Sequence, residues 1–169
     1  MGIEALQLYI NQYGLFFLGL IIFIEYLNVP GFPAGIILPI AGIWAKGAGV
    51  SFLLAMFISV VSALLASWIL YYVGLKGGEL FFDKYLVKHP KFKPQINKCF
   101  NYIEKKESFG VFIAKLIPMI RTIIAIPAGV VKMNFFKYTV SSCLGIIVWN
   151  FALMSSGYFF GEAILTKLF

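Results

Sequence analysis

An all-α membrane protein made of two inverted-topology repeats is the fold class this sequence predicts, and three observations predict it. Of 169 residues 61% are hydrophobic and only 12% charged, about half the charge of an ordinary soluble domain, and the mean hydropathy is +0.91. Two stretches, 50–75 and 135–160, are long and apolar enough to cross a bilayer as helices. Two others, 15–45 and 109–133, are apolar but interrupted by Pro and Gly. Each leaves two limbs of about ten residues, or about 15 Å of helix, half of a 30 Å hydrocarbon core. Each repeat is therefore expected to be a re-entrant helical hairpin followed by a full transmembrane helix.

Taken in order, residues 1–14 read as an interfacial helix, with Ile3, Leu6, Ile10 and Tyr13 on one face and Glu4, Gln7 and Asn11 on another. This segment has no basic n-region, so it does not resemble a cleavable signal peptide. Residues 15–75 form the first repeat. Its hairpin tip is NVPGFPAG, where Pro30, Gly31, Pro33 and Gly35 break helix geometry at membrane depth. Such a break is tolerated only where protein or a wet cavity surrounds it. A single kinked span over 15–45 would be too long for the bilayer. In the full span, Ser59, Ser62, Ala63, Ala66 and Ser67 make a small-residue stripe for close helix packing. Trp68, Tyr71 and Tyr72 read as interfacial anchors.

Residues 76–107 are a polar, helical segment with eight Lys against four acids. The positive-inside rule places it in the cytoplasm, against an anionic lipid surface. His89 within it reads as a solvated loop residue. The second repeat is 108–161, with hairpin-tip residues Pro118, Pro127 and Gly129. Asn150 in its span reads as an interhelical hydrogen-bonding residue. The repeat is also visible as Ala-Gly pairs at Ala41-Gly42 and Ala128-Gly129. The separations Gly42 to Gly74 and Gly129 to Gly161 are equal (74 − 42 and 161 − 129), and Tyr71 and Tyr158 each stand three before the closing Gly. A single span between the hairpins makes them enter from opposite faces and meet near the midplane.

The charges inside apolar limbs mark the candidate site. Only Glu25 among the acids, and only Lys115 and Arg121 among the basic residues, interrupt such limbs, and Arg121 is the sole arginine. A charge at the bilayer centre costs about 2.5–3.5 kcal/mol on insertion scales, so these residues are expected to face one another or a pathway. Arg offers a planar fork for phosphate, and Lys a point charge. Pro118 between them breaks the helix and could bring both to one cavity, where Glu25 would supply a counter-charge or a proton. A purely structural Glu25–Arg121 pair is the plainer reading.

These residues carry a resemblance. Lys115-Leu-Ile-Pro118-Met-Ile-Arg121-Thr122, Pro127-Ala128-Gly129 and Met133-Asn134-Phe135 resemble the core motif of the DedA family, also called the VTT or SNARE-associated Golgi protein family. Glu25, the Pro-rich tip, Ala41-Gly42 and Tyr71-Tyr72-x-Gly74 look like its N-terminal half. The resemblance implies movement of lipids between leaflets, with proton-motive force implicated, and assigns Glu25 to the first membrane acid and Lys115 and Arg121 to the basic pair. The chain departs from the family at Gly35, often an acid there, at Ser67, usually Asp, at Leu75, usually Arg, and at Lys115, usually Arg.

The function expected is translocation of a phosphate-bearing lipid, such as undecaprenyl phosphate or phosphatidylethanolamine, through a polar cavity where the hairpins meet, in the plasma or inner membrane. The alternative is a proton- or ion-coupled small-solute transporter using the same cavity. No cofactor, metal or nucleic acid is expected: Cys99 and Cys143 have no metal-ligand spacing, and little of the chain is aqueous. An enzyme would want a cluster of His or carboxylates at one membrane face, which the sequence lacks. A scaffold recruiting partners through 76–107 is the remaining class. The small-residue stripes are compatible with an oligomer.

Overall fold

A computed structural model describes residues 3–27, 35–88, 93–118 and 120–168, with side chains over 13–27, 35–77, 106–118 and 120–161 and at a few positions between 94 and 103. Pro30, Gly31, Pro33 and His89 lie outside the described residues. The described chain is all helix: α1 (Ile3–Tyr26), α2 (Ile37–Gly47), α3 (Phe52–Lys88), α4 (Lys93–Lys115), α5 (Ile120–Ile123), α6 (Ala125–Val130) and α7 (Phe135–Leu168). Phe52–Gly77 of α3 and Phe135–Gly161 of α7 are long and apolar enough to span a membrane. Helix α1 is continuous. The amphipathic stretch read as a separate interfacial helix forms its first turns, because no Pro interrupts 3–26 and the lone Gly14 and Gly19 cost only about 1 kcal/mol each in a helix.

Elsewhere the breaks follow from backbone chemistry. Pro118 has no N–H to offer and disfavours the helical conformation of Ile117, so α4 stops at Lys115 and the chain re-enters helix at Ile120. Pro39 and Pro127 instead sit in the first turn of α2 and α6, where a missing N–H costs nothing. A further kink in α4, at Glu107 (φ 41°, ψ −119°), falls where the polar segment gives way to the apolar limb.

The packing interlocks the two halves. First limbs lie on the long helix that follows them, α1 on α3 and α4 on α7; second limbs cross over, α2 onto α7 and α6 onto α3. The crossings are backbone to backbone. A Cβ on Gly157 would fall 1.8 Å from the Pro39 carbonyl oxygen, and one on Gly42 2.2 Å from that of Met154. In the other crossing a Cβ on Gly129 would lie 2.0 Å from Tyr71 O, and one on Gly74 2.1 Å from Ile126 O. Small residues at such contacts gain van der Waals packing that lipid cannot replace.

These contacts correct the register read from sequence. The glycine equivalent to Gly74 is Gly157, not Gly161; Gly161 meets only the Ile43 side chain. The turns agree: Val50 N–H donates to Ala45 O (2.8 Å) and Met133 N–H to Ala128 O (3.0 Å), while Gly49 and Lys132 both adopt positive φ. From the turns through the spans the halves are offset by 83 (133 − 50, 157 − 74), whereas Gly42 and Gly129 differ by 87. Helix α2 therefore holds four more residues, about one helical turn, between its packing glycine and the turn. Tyr71 also differs from expectation. It is buried, stacked on Tyr138 at 4.8 Å, with its hydroxyl donating to Met133 O; of the other two expected anchors Trp68 is half-buried and Tyr72 exposed.

Gly157→Ala should cost about 1–3 kcal/mol through overpacking against Pro39, read as a lowered thermal midpoint in detergent. Gly47→Ala, with nothing within 4 Å of the added Cβ, should be neutral or stabilising by up to about 1 kcal/mol. Equal midpoints for the two variants would refute the close backbone contact.

Candidate functional site

The break after Lys115 turns the chain so that Arg121, on α5, faces inward from the opposite side of the break. The end of α1 presents Glu25 and Tyr26 to the same point. Lys115, Arg121 and Glu25 are 1%, 0% and 3% exposed, so three ionisable side chains spread over 97 positions of an apolar chain are enclosed together. Arg121 Nη2 pairs with Glu25 Oε1, and the same oxygen accepts the Gly35 N–H at 3.3 Å. Gly35 holds φ +93°, a conformation that glycine adopts without strain. At this position the backbone thus supplies a donor to Glu25 where the resemblance led one to look for a second acid.

Aromatic faces enclose the guanidinium. Its Cζ lies 4.5 Å from the centre of the Tyr26 ring and 5.2 Å from that of Trp149, and Lys115 Nζ lies 6.0 Å from the same Tyr26 ring. Cation–π contacts of this kind strengthen when water is excluded, to about 2 kcal/mol. Lys115 and Arg121, six apart across Pro118, are thereby brought to one aromatic ring. Hydrogen bonds tie the cluster to the long helices. Tyr26 OH donates to Asn150 Oδ1 (2.8 Å), Asn150 Nδ2 to Ser59 Oγ (3.2 Å), and Ser59 Oγ to Met56 O (2.7 Å). Lys115 Nζ donates to Ser67 Oγ (2.8 Å), and Tyr138 OH to the Ser67 carbonyl (3.2 Å). Asn150 and Ser67 are equivalent in the two halves (150 − 67 = 83), so the end of each first limb bonds to the span of the other half.

The pairing leaves specific atoms uncommitted. Arg121 Nε and Nη1 and Glu25 Oε2 are buried with no hydrogen-bond partner among the described residues. Unsatisfied buried groups of this kind cost about 1–3 kcal/mol each. A tetrahedral oxyanion could accept from these two guanidinium donors. Among the described residues the cluster is buried, with the Tyr26 and Trp149 rings against the guanidinium. Among the tip residues, Pro118 is exposed, whereas Pro127 and Gly129 are buried against α3. Tyr26, Trp149 and Ser59 were not singled out as site residues from sequence; only the adjacency of Tyr26 to Glu25 hinted at one of them. Among the described residues no group of three or more His, Cys, Asp or Glu could hold a metal ion.

A family model described as the VTT domain matches residues 32–159. The chain is 29% identical over 153 residues to undecaprenyl phosphate transporter A of Staphylococcus aureus, covering 88% of this chain and 75% of that protein. It is 32% identical over 134 residues to undecaprenyl phosphate transporter A of Bacillus subtilis, covering 77% and 66%. It is also 29% identical over 157 residues to an alkaline phosphatase-like protein of Lactococcus lactis subsp. cremoris, covering 90% and 73%. No solved structure matches the chain.

Removing one partner of a buried ion pair leaves an uncompensated charge and costs about 3–5 kcal/mol. Glu25→Gln and Arg121→Gln should each lower thermal stability in detergent on that scale. The double variant should lose clearly less than the sum. Additive losses would show that the two side chains do not act as a pair.

Proposed function

The chain belongs to the VTT domain family of DedA membrane proteins, and on that premise we propose that it moves a phosphate-bearing lipid between the leaflets of the cell membrane. The observation that carries the proposal is Arg121, fully buried at the junction of both halves and bound to Glu25 through one nitrogen, with Nε and Nη1 meeting no partner among the described residues. A structural pair would be expected to satisfy these atoms, since each orphan costs stability. A ligand that meets them relieves that cost, and a phosphate monoester offers oxygens suited to a guanidinium. Undecaprenyl phosphate is the first candidate because two relatives bear that name; phosphatidylethanolamine is the second.

In this reading the broken pairs α1–α2 and α4–α6 are re-entrant hairpins entering from opposite faces, and their crossed packing onto α7 and α3 supports that arrangement. Arg121 binds the headgroup phosphate in exchange for Glu25, Lys115 adds a second cationic contact, and Glu25 takes either a proton or the restored ion pair once the phosphate leaves. Because the pair is buried, the headgroup reaches Arg121 only when the hairpin ends part. The reading makes the protein a carrier and not an enzyme, and places the basic 76–107 segment on the cytoplasmic surface.

Proteoliposomes carrying labelled polyprenyl phosphate or phosphatidylethanolamine test this. Wild-type protein should accelerate leaflet exchange of one of them, and Arg121→Lys, which keeps charge but loses the planar fork, should slow it about tenfold or more. Exchange no faster than in protein-free vesicles would refute lipid translocation. A headgroup-independent flux of small solutes would favour the ion-coupled alternative. A cysteine placed at Lys84 should react with an impermeant maleimide only from the cytoplasmic side; labelling from outside would reverse the topology.

A further inference from the structure

Helices α1 and α2 touch only lightly, and the cleft between them is a groove of about 580 Å³ whose walls are almost wholly carbon. Tyr13, Gly14, Phe17, Ile21, Ile40 and Trp44 line it. Its volume lies in the range of small-molecule sites, about 300–1,000 Å³. One end is closed by Trp44, which lies so near α1 that a Cβ on Gly14 would fall 2.3 Å from its ring. The other end points at the buried charges. Ile21 is one helical turn before Glu25, and α2 begins two residues after Gly35, whose N–H donates to that carboxylate. From Tyr13 to Glu25 is about 18 Å of helix, close to the depth of one hydrocarbon leaflet.

Accepting the phosphate-lipid reading of Arg121, we infer that this groove seats the single hydrocarbon chain of the transported lipid, with its phosphate at the Glu25–Arg121 pair and its first carbons against Ile21 and Ile40. The nearness of the groove to the ion pair, one helical turn from Ile21 to Glu25, argues for the cargo over bulk lipid: a chain lying there brings its own headgroup within reach of the buried Arg121. The smaller groove on the opposite face of α1, about 360 Å³ and lined by Leu15, Phe16 and Ile58 among others, does not lead to the pair.

The test is photolabelling in proteoliposomes with a polyprenyl phosphate bearing a diazirine on its second or third isoprene unit, with leaflet exchange measured on the same vesicles. Labels should map to residues 13–21 and 37–44. Ile40→Trp, a change at a residue 58% exposed and so tolerable to the fold, should cut labelling about tenfold, equivalent to displacing about two methylenes. Ile21→Trp should do the same. The matching polyprenol, lacking the phosphate, should label at least tenfold less. Equal labelling by polyprenol, or labels spread evenly over the lipid-facing surface, would mean bulk lipid fills the groove and would overturn the inference. So would crosslinking of an Ile40→Cys variant to a second copy of the chain that blocks labelling. Exchange that proceeds in wild type without groove labelling would overturn the groove and leave the transport reading standing. Phosphate-dependent groove labelling without exchange would keep the groove and remove the transport.

Discussion

A guanidinium and a carboxylate buried against each other impose the central constraint on this molecule. Neither Glu25 nor Arg121 could sit alone at membrane depth, so the ends of α1 and α5 have to arrive at the same point from different parts of the chain. That demand explains the breaks. A continuous helix through 109–130 would carry Lys115 and Arg121 on diverging faces; the stop at Pro118 lets both approach the Tyr26 ring. It also explains the tyrosine, which covers the cations with its face and anchors to Asn150 with its hydroxyl.

The rest of the chain holds that point rigid. Second limbs cross to the span of the other half through contacts that admit no side chain at Gly42, Gly74, Gly129 and Gly157. Hydrogen bonds from the first-limb ends to Asn150 and Ser67 connect the same partners. The two halves therefore cannot move independently near the site without breaking several contacts at once. The two departures from the family at Lys115 and Ser67 meet in the structure: Lys115 donates to the Ser67 hydroxyl, a contact made without a buried carboxylate.

How much of this the sequence discloses differs by element. Apolar length alone identifies the spans within α3 and α7, and Pro and Gly identify the broken limbs. Three isolated charges in apolar surroundings identify the site before any contact is known, because insertion into hydrocarbon makes such charges costly. The register of the repeat was misread. Gly161 matched the spacing of Gly74, but an extra turn in α2 shifts the true equivalent to Gly157, and glycine spacing along one chain carries no information about which backbone lies opposite. Tyr71 was read as an interfacial anchor for the same reason: position near a span end is visible in sequence, and the direction of the side chain is not.

What the sequence determined by itself is therefore the solvent and the inventory: a chain too apolar for water, four helical zones of two lengths, and the ionisable side chains that must find shelter. Only the tertiary structure decided which of them shelter together, that Glu25 binds Arg121 through one nitrogen while Lys115 turns to Ser67, and that the Tyr26 and Trp149 rings lie against the guanidinium. Composition and spacing act along the chain, where transfer free energy and backbone chemistry are local. The site depends on contacts between residues up to 124 positions apart, which exist only once the crossed packing has brought them within hydrogen-bond reach.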